Sequence, residues 1–294
     1  MDRSSIAVTA LRLFAVSCMV CLVGCANWKA TPDLKDSLRT IGSDPQQSHV
    51  TSQKRFVVEV DFVHLPLFVE ANDPLVESWQ WVDETSIEPK IRQRMFANGI
   101  RVGRVTDYDR FRGLLTNESV GGDVVDTFLR QASIATEVAS GKKQYPMRYG
   151  RRYELPVRNP TEGQHVMLLQ LDGETVGRTL PNAQYLFAMT ARPSSNAQQI
   201  ELNLQPEVQY GDSRQKFVSS DTALRIDTRR ESWAIEQLEM NLTLQEGDTI
   251  VFAPTMPLKG LAKQMLSSPG PDQQPQQTII LLRVAQVPTA VDQM

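Results

Sequence analysis

Trp79, Trp81, Asp83 and Glu84 set two indoles beside two carboxylates in one short stretch. Paired carboxylates can divide into a general acid and a general base, and indole faces stack on sugar rings. The cluster is therefore a candidate site for a cell-wall polysaccharide hydrolase or binding protein. The same residues also make sense as structure, with an indole stapling the loop to the core and the acids facing water or capping the helix that opens at Pro89. This second reading is preferred. A denser basic and aromatic stretch follows, in which Arg148, Arg151 and Arg152 interleave with Tyr145, Tyr149 and Tyr153. Strand alternation would put Tyr149, Arg151 and Tyr153 on one face and Arg148 and Arg152 on the other. Trp79, Trp81, Tyr149, Arg151 and Tyr153 are thus the candidate interaction surface, and the charged stretch also suits an edge strand protected against pairing.

Other chemistry is thinly supplied. Gly211-Asp212-Ser213 resembles the nucleophile block of one lipase and esterase family, but no histidine follows it, and a serine without a base is a weak nucleophile. A turn is the expectation there. His49, His64 and His165 lack the close helical spacing of a short zinc motif. There is no phosphate-cradling glycine loop, and the formal net charge of -3 gives no general drive towards nucleic acid. A non-enzymatic protein without cofactor, metal or nucleic-acid partner is expected.

The cysteines carry the most specific signal. Cys18, Cys21 and Cys25 all fall near the N-terminus, so a chain cut before Cys25 keeps one thiol and can form no internal disulfide. Arg3 and Arg12 flank the start of an apolar run, Leu13 to Val23, too short to span a bilayer as a permanent helix. Leu22-Val23-Gly24-Cys25 resembles the lipobox of bacterial lipoproteins. That resemblance implies cleavage before Cys25, a diacylglyceryl thioether on its sulfur and membrane attachment through the lipid. In that class an Asp directly after the cysteine favours inner-membrane retention. Ala26 stands there instead, which implies a periplasm-facing body on the outer membrane of the cell envelope.

Residues 1–24 are thus read as a signal peptide and 25–55 as a flexible tether rich in Asp, Ser, Gln, Thr and Pro. Residues 56–140 read as a small α/β domain. Phe56, Val58, Val60 and Phe62 predict a strand with one buried face, and Ile87, Ile91 and Met95 predict a helix through Pro89 that stops at Asn98-Gly99. Ile100, Val102 and Val105 predict a strand, Asp107 caps a helix with Tyr108, Phe111 and Leu115 on one face, and Asp123 caps a longer one.

Residues 141–288 read as a β-rich, mainly antiparallel domain, with 289–294 as a disordered tail, so the fold class is α+β. Val166 to Leu171 meets the hairpin signal Asp172-Gly173, and Gln184 to Thr190 rises again as strand. Ile200, Leu202 and Leu204 alternate with polar residues, as do Leu238, Met240, Leu242 and Leu244. Glu246-Gly247-Asp248 turns the chain into Thr249 to Phe252, Ser267 to Gln277 reads as an exposed loop, and Thr278 to Val284 as a last strand.

The runs Ile200 to Val208, Leu242 to Phe252 and Ile279 to Val284 resemble the closing β-region of the secretin family, the ring-forming outer-membrane channels of secretion and pilus systems. The resemblance implies a hairpin with its turn at Glu246-Gly247-Asp248-Thr249 and a closing apolar strand. It also implies a docking or assembly role with envelope proteins or with copies of the chain. The Gly-Gly-Leu step that follows the hairpin in that family is replaced here by Ala253-Pro254-Thr255-Met256.

Overall fold

The computed structural model describes residues 55–67, 74–116, 141–219, 224–270 and 274–287. The expected signal peptide, Cys25, the expected tether as far as residue 54, the helix expected from Asp123 and the expected tail lie outside the described residues. In chain order the elements are β1 (Arg55–Pro66), α1 (Pro74–Ser78), β2 (Val82–Asp83), α2 (Pro89–Ala97), β3 (Ile100–Val105), α3 (Tyr108–Thr116), β4 (Gly141–Arg148), β5 (Arg152–Pro156), β6 (Gln164–Leu171) and β7 (Glu174–Pro181). There follow β8 (Gln184–Pro193), β9 (Gln199–Ser219), β10 (Leu224–Ala234), β11 (Met240–Gln245), β12 (Thr249–Pro254), α4 (Gly260–Met265), β13 (Ser267–Pro269) and β14 (Pro275–Gln286).

These strands make an antiparallel, β-rich α+β fold. A seven-stranded sheet runs β2-β3-β12-β14-β1-β4, with β13 also pairing β14, and a five-stranded sheet runs β10-β9-β8-β5, with β11 also on β9. The hairpin β6-β7 stands by itself. Both hydrophobic clusters lie within the compact unit Ser52–Met294. The larger one joins the two main sheets face to face. Phe56, Val58, Val60 and Phe62 of β1 meet residues such as Leu155, Phe187 and Leu202 in it, and the Phe187 and Phe252 rings approach to 4.9 Å. The smaller cluster lies on the other face of the seven-stranded sheet, where Leu75, Trp79, Phe111 and Leu115 pack on Val63, Val251, Ile279 and Leu281.

The strand β1 is therefore buried on both faces, not one. Glu59 and Asp61 are each only 7% exposed, and Lys142 reaches Glu59 at 2.7 Å while Arg112 reaches Asp61 at 2.9 Å. A buried carboxylate needs such a partner, and these cations let two acids occupy a core position of the sheet.

The expected boundary between residues 140 and 141 does not divide the sheets. Strands β1 and β3 are separated by β12 and β14, which come from the far end of the chain. The strand-helix-strand order thus does not close a unit of its own.

The turn at Glu246-Gly247-Asp248 makes no hairpin either. The strand before it, β11, pairs with β9 in the five-stranded sheet, whereas β12 pairs with β3 and β14 in the other. Burial explains this: β11 alternates buried and exposed along its length, while every residue of β12 is buried. One strand covers a face and the other is covered on both, so they belong to different layers. The turn is held by Gly247 N–H to Val284 O at 2.8 Å and Val284 N–H to Asp248 O at 3.0 Å. Part of the expected loop 267–277 is also sheet, since Ser267 to Pro269 pair with β14 and Gln277 is buried.

Local signals elsewhere coincide with the elements they predict. Pro89 opens α2 at its first turn and Asn98 closes it, with Gly99 at φ +80°. The side chain of Asp107 accepts from Arg110 N–H at 3.1 Å at the start of α3. Asp172 and Gly173, both at positive φ, join β6 to β7 by a two-residue turn.

Candidate functional site

The aromatic and acidic cluster is built as a brace. Trp79 is 7% exposed and belongs to the smaller core cluster. Its indole N–H donates to Glu84 Oε1 at 2.6 Å, and the Arg101 guanidinium both pairs with Glu84 at 2.7 Å and lies 4.2 Å over the Trp79 ring. Asp83 caps the short 3-10 turn Glu84–Ser86, accepting from Thr85 N–H at 2.8 Å and Thr85 Oγ1 at 2.6 Å. Those bonds hold its carboxyl below the ordinary range, the Thr85 hydroxyl contributing most. A general acid needs the opposite shift. Trp81 is half-buried with Arg110 4.7 Å over its ring. Trp79 and Glu84 are thus committed to holding β3 against the core, and Trp81 alone of the pair retains surface.

The basic and aromatic stretch does not form one strand. Tyr149, Gly150 and Arg151 make the turn between β4 and β5, which lie in different sheets. Tyr149 stacks on Phe56 with ring centroids 5.2 Å apart, and the Tyr153 hydroxyl accepts from Arg148 N–H at 2.9 Å. Of Tyr149, Arg151 and Tyr153, only Arg151 is exposed. The expected shared face of Tyr149, Arg151 and Tyr153 is replaced by a corner, because the chain must cross from one layer of the sandwich to the other at Gly150.

His64 Nδ1 lies 3.1 Å from Thr278 Oγ1 across the β1-β14 pair, and His165 Nε2 lies 2.9 Å from Thr161 O four residues away, while His49 is outside the described residues. No cluster of three or more His, Cys, Asp or Glu able to hold a metal occurs among the described residues. Gly211-Asp212-Ser213 is not a turn. It sits in β9 opposite a register shift between Arg229 and Glu231, with Gly211 at φ +71° and its carbonyl bonded by Arg230 Nε at 2.9 Å, the geometry of a bulge. Ser213 lines a polar cleft of about 490 Å3 with Arg152, Glu154, Glu207 and Arg230, which brings it carboxylates and guanidinium groups but no histidine.

A second concavity, about 560 Å3, lies between α2 and the tip of the β6-β7 hairpin and is lined by Lys90, Gln93, Arg94, Gln170, Asp172 and Lys259. Asn98, fully buried, organises this region. Its Nδ2 donates to Arg94 O at 2.9 Å and Gln170 O at 2.8 Å, its Oδ1 accepts from Gln170 N–H at 2.8 Å, and its carbonyl accepts from Ala262 N–H of α4. Arg94 crosses the groove to Asp172 at 2.5 Å, and that hydrogen bond, followed by the charges of Arg94 and Lys90, keeps the Asp172 carboxyl below its usual range. On the segments that supply its lining, β6, α2 and the loop before Lys259, Val166 (58%), Leu168 (54%), Phe96 (53%) and Met256 (45%) are exposed. None of this face was singled out from residue types. Val166 to Leu171 reads simply as a run meeting a hairpin turn, whereas Met167 and Leu169 enter the core and Val166 and Leu168 point away from it.

Comparison with family models, with curated proteins and with solved structures returned no match to this chain.

Proposed function

We propose that this chain is a lipid-anchored protein of the bacterial cell envelope whose folded body acts by binding and assembly, without catalysis. The observation that carries the proposal is Leu22-Val23-Gly24-Cys25 at the end of an apolar run behind Arg3 and Arg12. Support for a binding role comes from the fate of the acid pair, since Asp83 is spent on a cap and Glu84 on Trp79 and Arg101. The polysaccharide-hydrolase reading requires the same two carboxylates to be free for acid-base work.

A place in a secretion or pilus-type assembly rests on the sequence runs shared with the closing region of secretins. The absence of a β11-β12 pairing separates this chain from the hairpin that the resemblance implies. The partner in this proposal is another envelope protein or a second copy of the chain.

The test is direct. Cys25→Ser expressed in a bacterium is expected to leave the membrane fraction while the wild type stays in it, with mass spectrometry of the Cys25 peptide reporting the thioether lipid. An unmodified Cys25 in the mature protein, or a serine variant that fractionates unchanged, overturns the anchor.

A further inference from the structure

We propose that the face carrying Val166, Leu168, Phe96 and Met256 is a second membrane contact, seating these side chains in the interface of an anionic bilayer with lysines at the headgroups. For its orientation this rests on the lipid-anchor reading. Of the large apolar side chains exposed among the described residues, only Val76 is outside this group. Large exposed apolar residues gathered on one surface mark a contact, where single scattered ones do not.

The segments that carry these side chains are bonded to one another. Val166 and Leu168 stand two apart on β6, on one side of the hairpin, and Gly177 opposite Leu168 offers no side chain to cover it. Gln264 of α4 donates to Val166 O at 3.3 Å, and Asn98 joins Gln170 to the end of α2, next to Phe96. Lys259 Nζ lies 5.4 Å from the Phe96 ring centre, and Thr255, beside Met256, donates its N–H to Gly99 O at 2.7 Å. Strand, helix end and loop therefore share one framework.

Charge selects the occupant. Lys90, Lys259 and Lys263 are exposed here, Asp172 is taken up by Arg94, and the exposed acids beside them are Glu174 at the hairpin tip and Glu88 at the start of α2. An isologous contact between two copies would set these lysines against each other, whereas anionic headgroups neutralise them. Apolar side chains flanked by lysines are the composition of interfacial membrane contacts. The roughly 30 residues between Cys25 and Arg55 reach about 100 Å when extended, so an anchored body can lay this face on its own membrane.

The experiment uses the chain from Ala26 onward, which retains the whole compact unit and carries no lipid. Co-sedimentation with vesicles of phosphatidylethanolamine and about one-third phosphatidylglycerol is compared with pure phosphatidylcholine, at low and high salt. Binding is expected to the anionic vesicles only, to fall in salt, and to weaken about tenfold in Val166→Ser/Leu168→Ser, which changes surface side chains and leaves the melting temperature in place. Lys90→Glu/Lys259→Glu is expected to weaken it comparably. No binding to anionic vesicles, or equal binding by the serine double variant, overturns the proposal. A dimer in light scattering that the serine variant dissolves, without vesicle binding, overturns it in favour of a second copy. Because Cys25 is absent from this chain, the result is independent of the lipidation measurement.

Discussion

Asn98 and Gln170 are bonded twice across the gap between α2 and β6, side-chain amide to carbonyl and N–H to side-chain oxygen, each at 2.8 Å. One buried side chain thus pairs with the edge of β6 in the manner of a neighbouring strand. Asn98→Ala removes these bonds and the one to Arg94 O and empties the buried site of the side chain. A loss of about 2–4 kcal/mol is expected in urea denaturation, with faster amide exchange at Gln170. A change below about 0.5 kcal/mol would show that the hairpin does not depend on this link.

Glu84 is expected to act as a brace. Glu84→Ala loses the Trp79 bond and the Arg101 pair and should cost about 1–2 kcal/mol, the larger share from the indole bond because the ion pair is partly exposed. Glu84→Gln retains an acceptor for the indole and should recover most of it. Binding of cell-wall polysaccharide that both variants lose at full stability would revive the hydrolase reading.

Gly103 lets β2 lie close to β3. A Cβ there would sit 2.5 Å from Val82 Cγ1 and 3.0 Å from Asp83 O. Gly103→Ala is therefore expected to push β2 off the sheet edge and cost roughly 1–3 kcal/mol, with a change in tryptophan fluorescence as the segment from Trp79 to Glu84 shifts. Unaltered fluorescence and stability would mean that this edge yields freely.

Tyr185 is 1% exposed, its hydroxyl has no hydrogen-bond partner among the described residues, and burial pushes its pKa up to about 12. A raised folded-state value means stability fully present below about pH 10, where the unfolded tyrosine ionises, and lost as pH climbs towards 12. Tyr185→Phe should remove that alkaline decline and leave stability at pH 7 unchanged or higher. An equally steep decline in the phenylalanine variant would place its cause elsewhere.

Asp172 has the opposite sign. Its lowered pKa, caused first by the Arg94 hydrogen bond, contributes stability that is in place above the ordinary carboxylate value and disappears as pH falls through the depressed one. Asp172→Asn should slightly lower the neutral-pH midpoint and flatten part of the acid decline. Superimposable acid limbs for the two proteins would refute this assignment.

Local chemistry was legible and layering was not. Alternation announced β1 and β11, the proline and the Asn98-Gly99 stop bounded α2, and Asp172-Gly173 announced its hairpin. What escaped depends on partners far along the chain. The seven-stranded sheet interleaves β3 and β1 with β12 and β14, and no window of residues records that. The difference in burial between β11 and β12 was a readable hint, since Leu242 and Leu244 alternate with polar residues while Ile250, Val251 and Phe252 do not. At the candidate site, the acid and indole pattern located a real cluster but left its role open, because a cap and a catalytic carboxylate look alike until the donors are in place.

The position of β14 has a temporal consequence. It lies between β12 and β1, so neither of them has its inner neighbour until residues 275–286 have been synthesised. Pairings of such long range form slowly, so the largest sheet is completed late, only once β14 has inserted between β12 and β1.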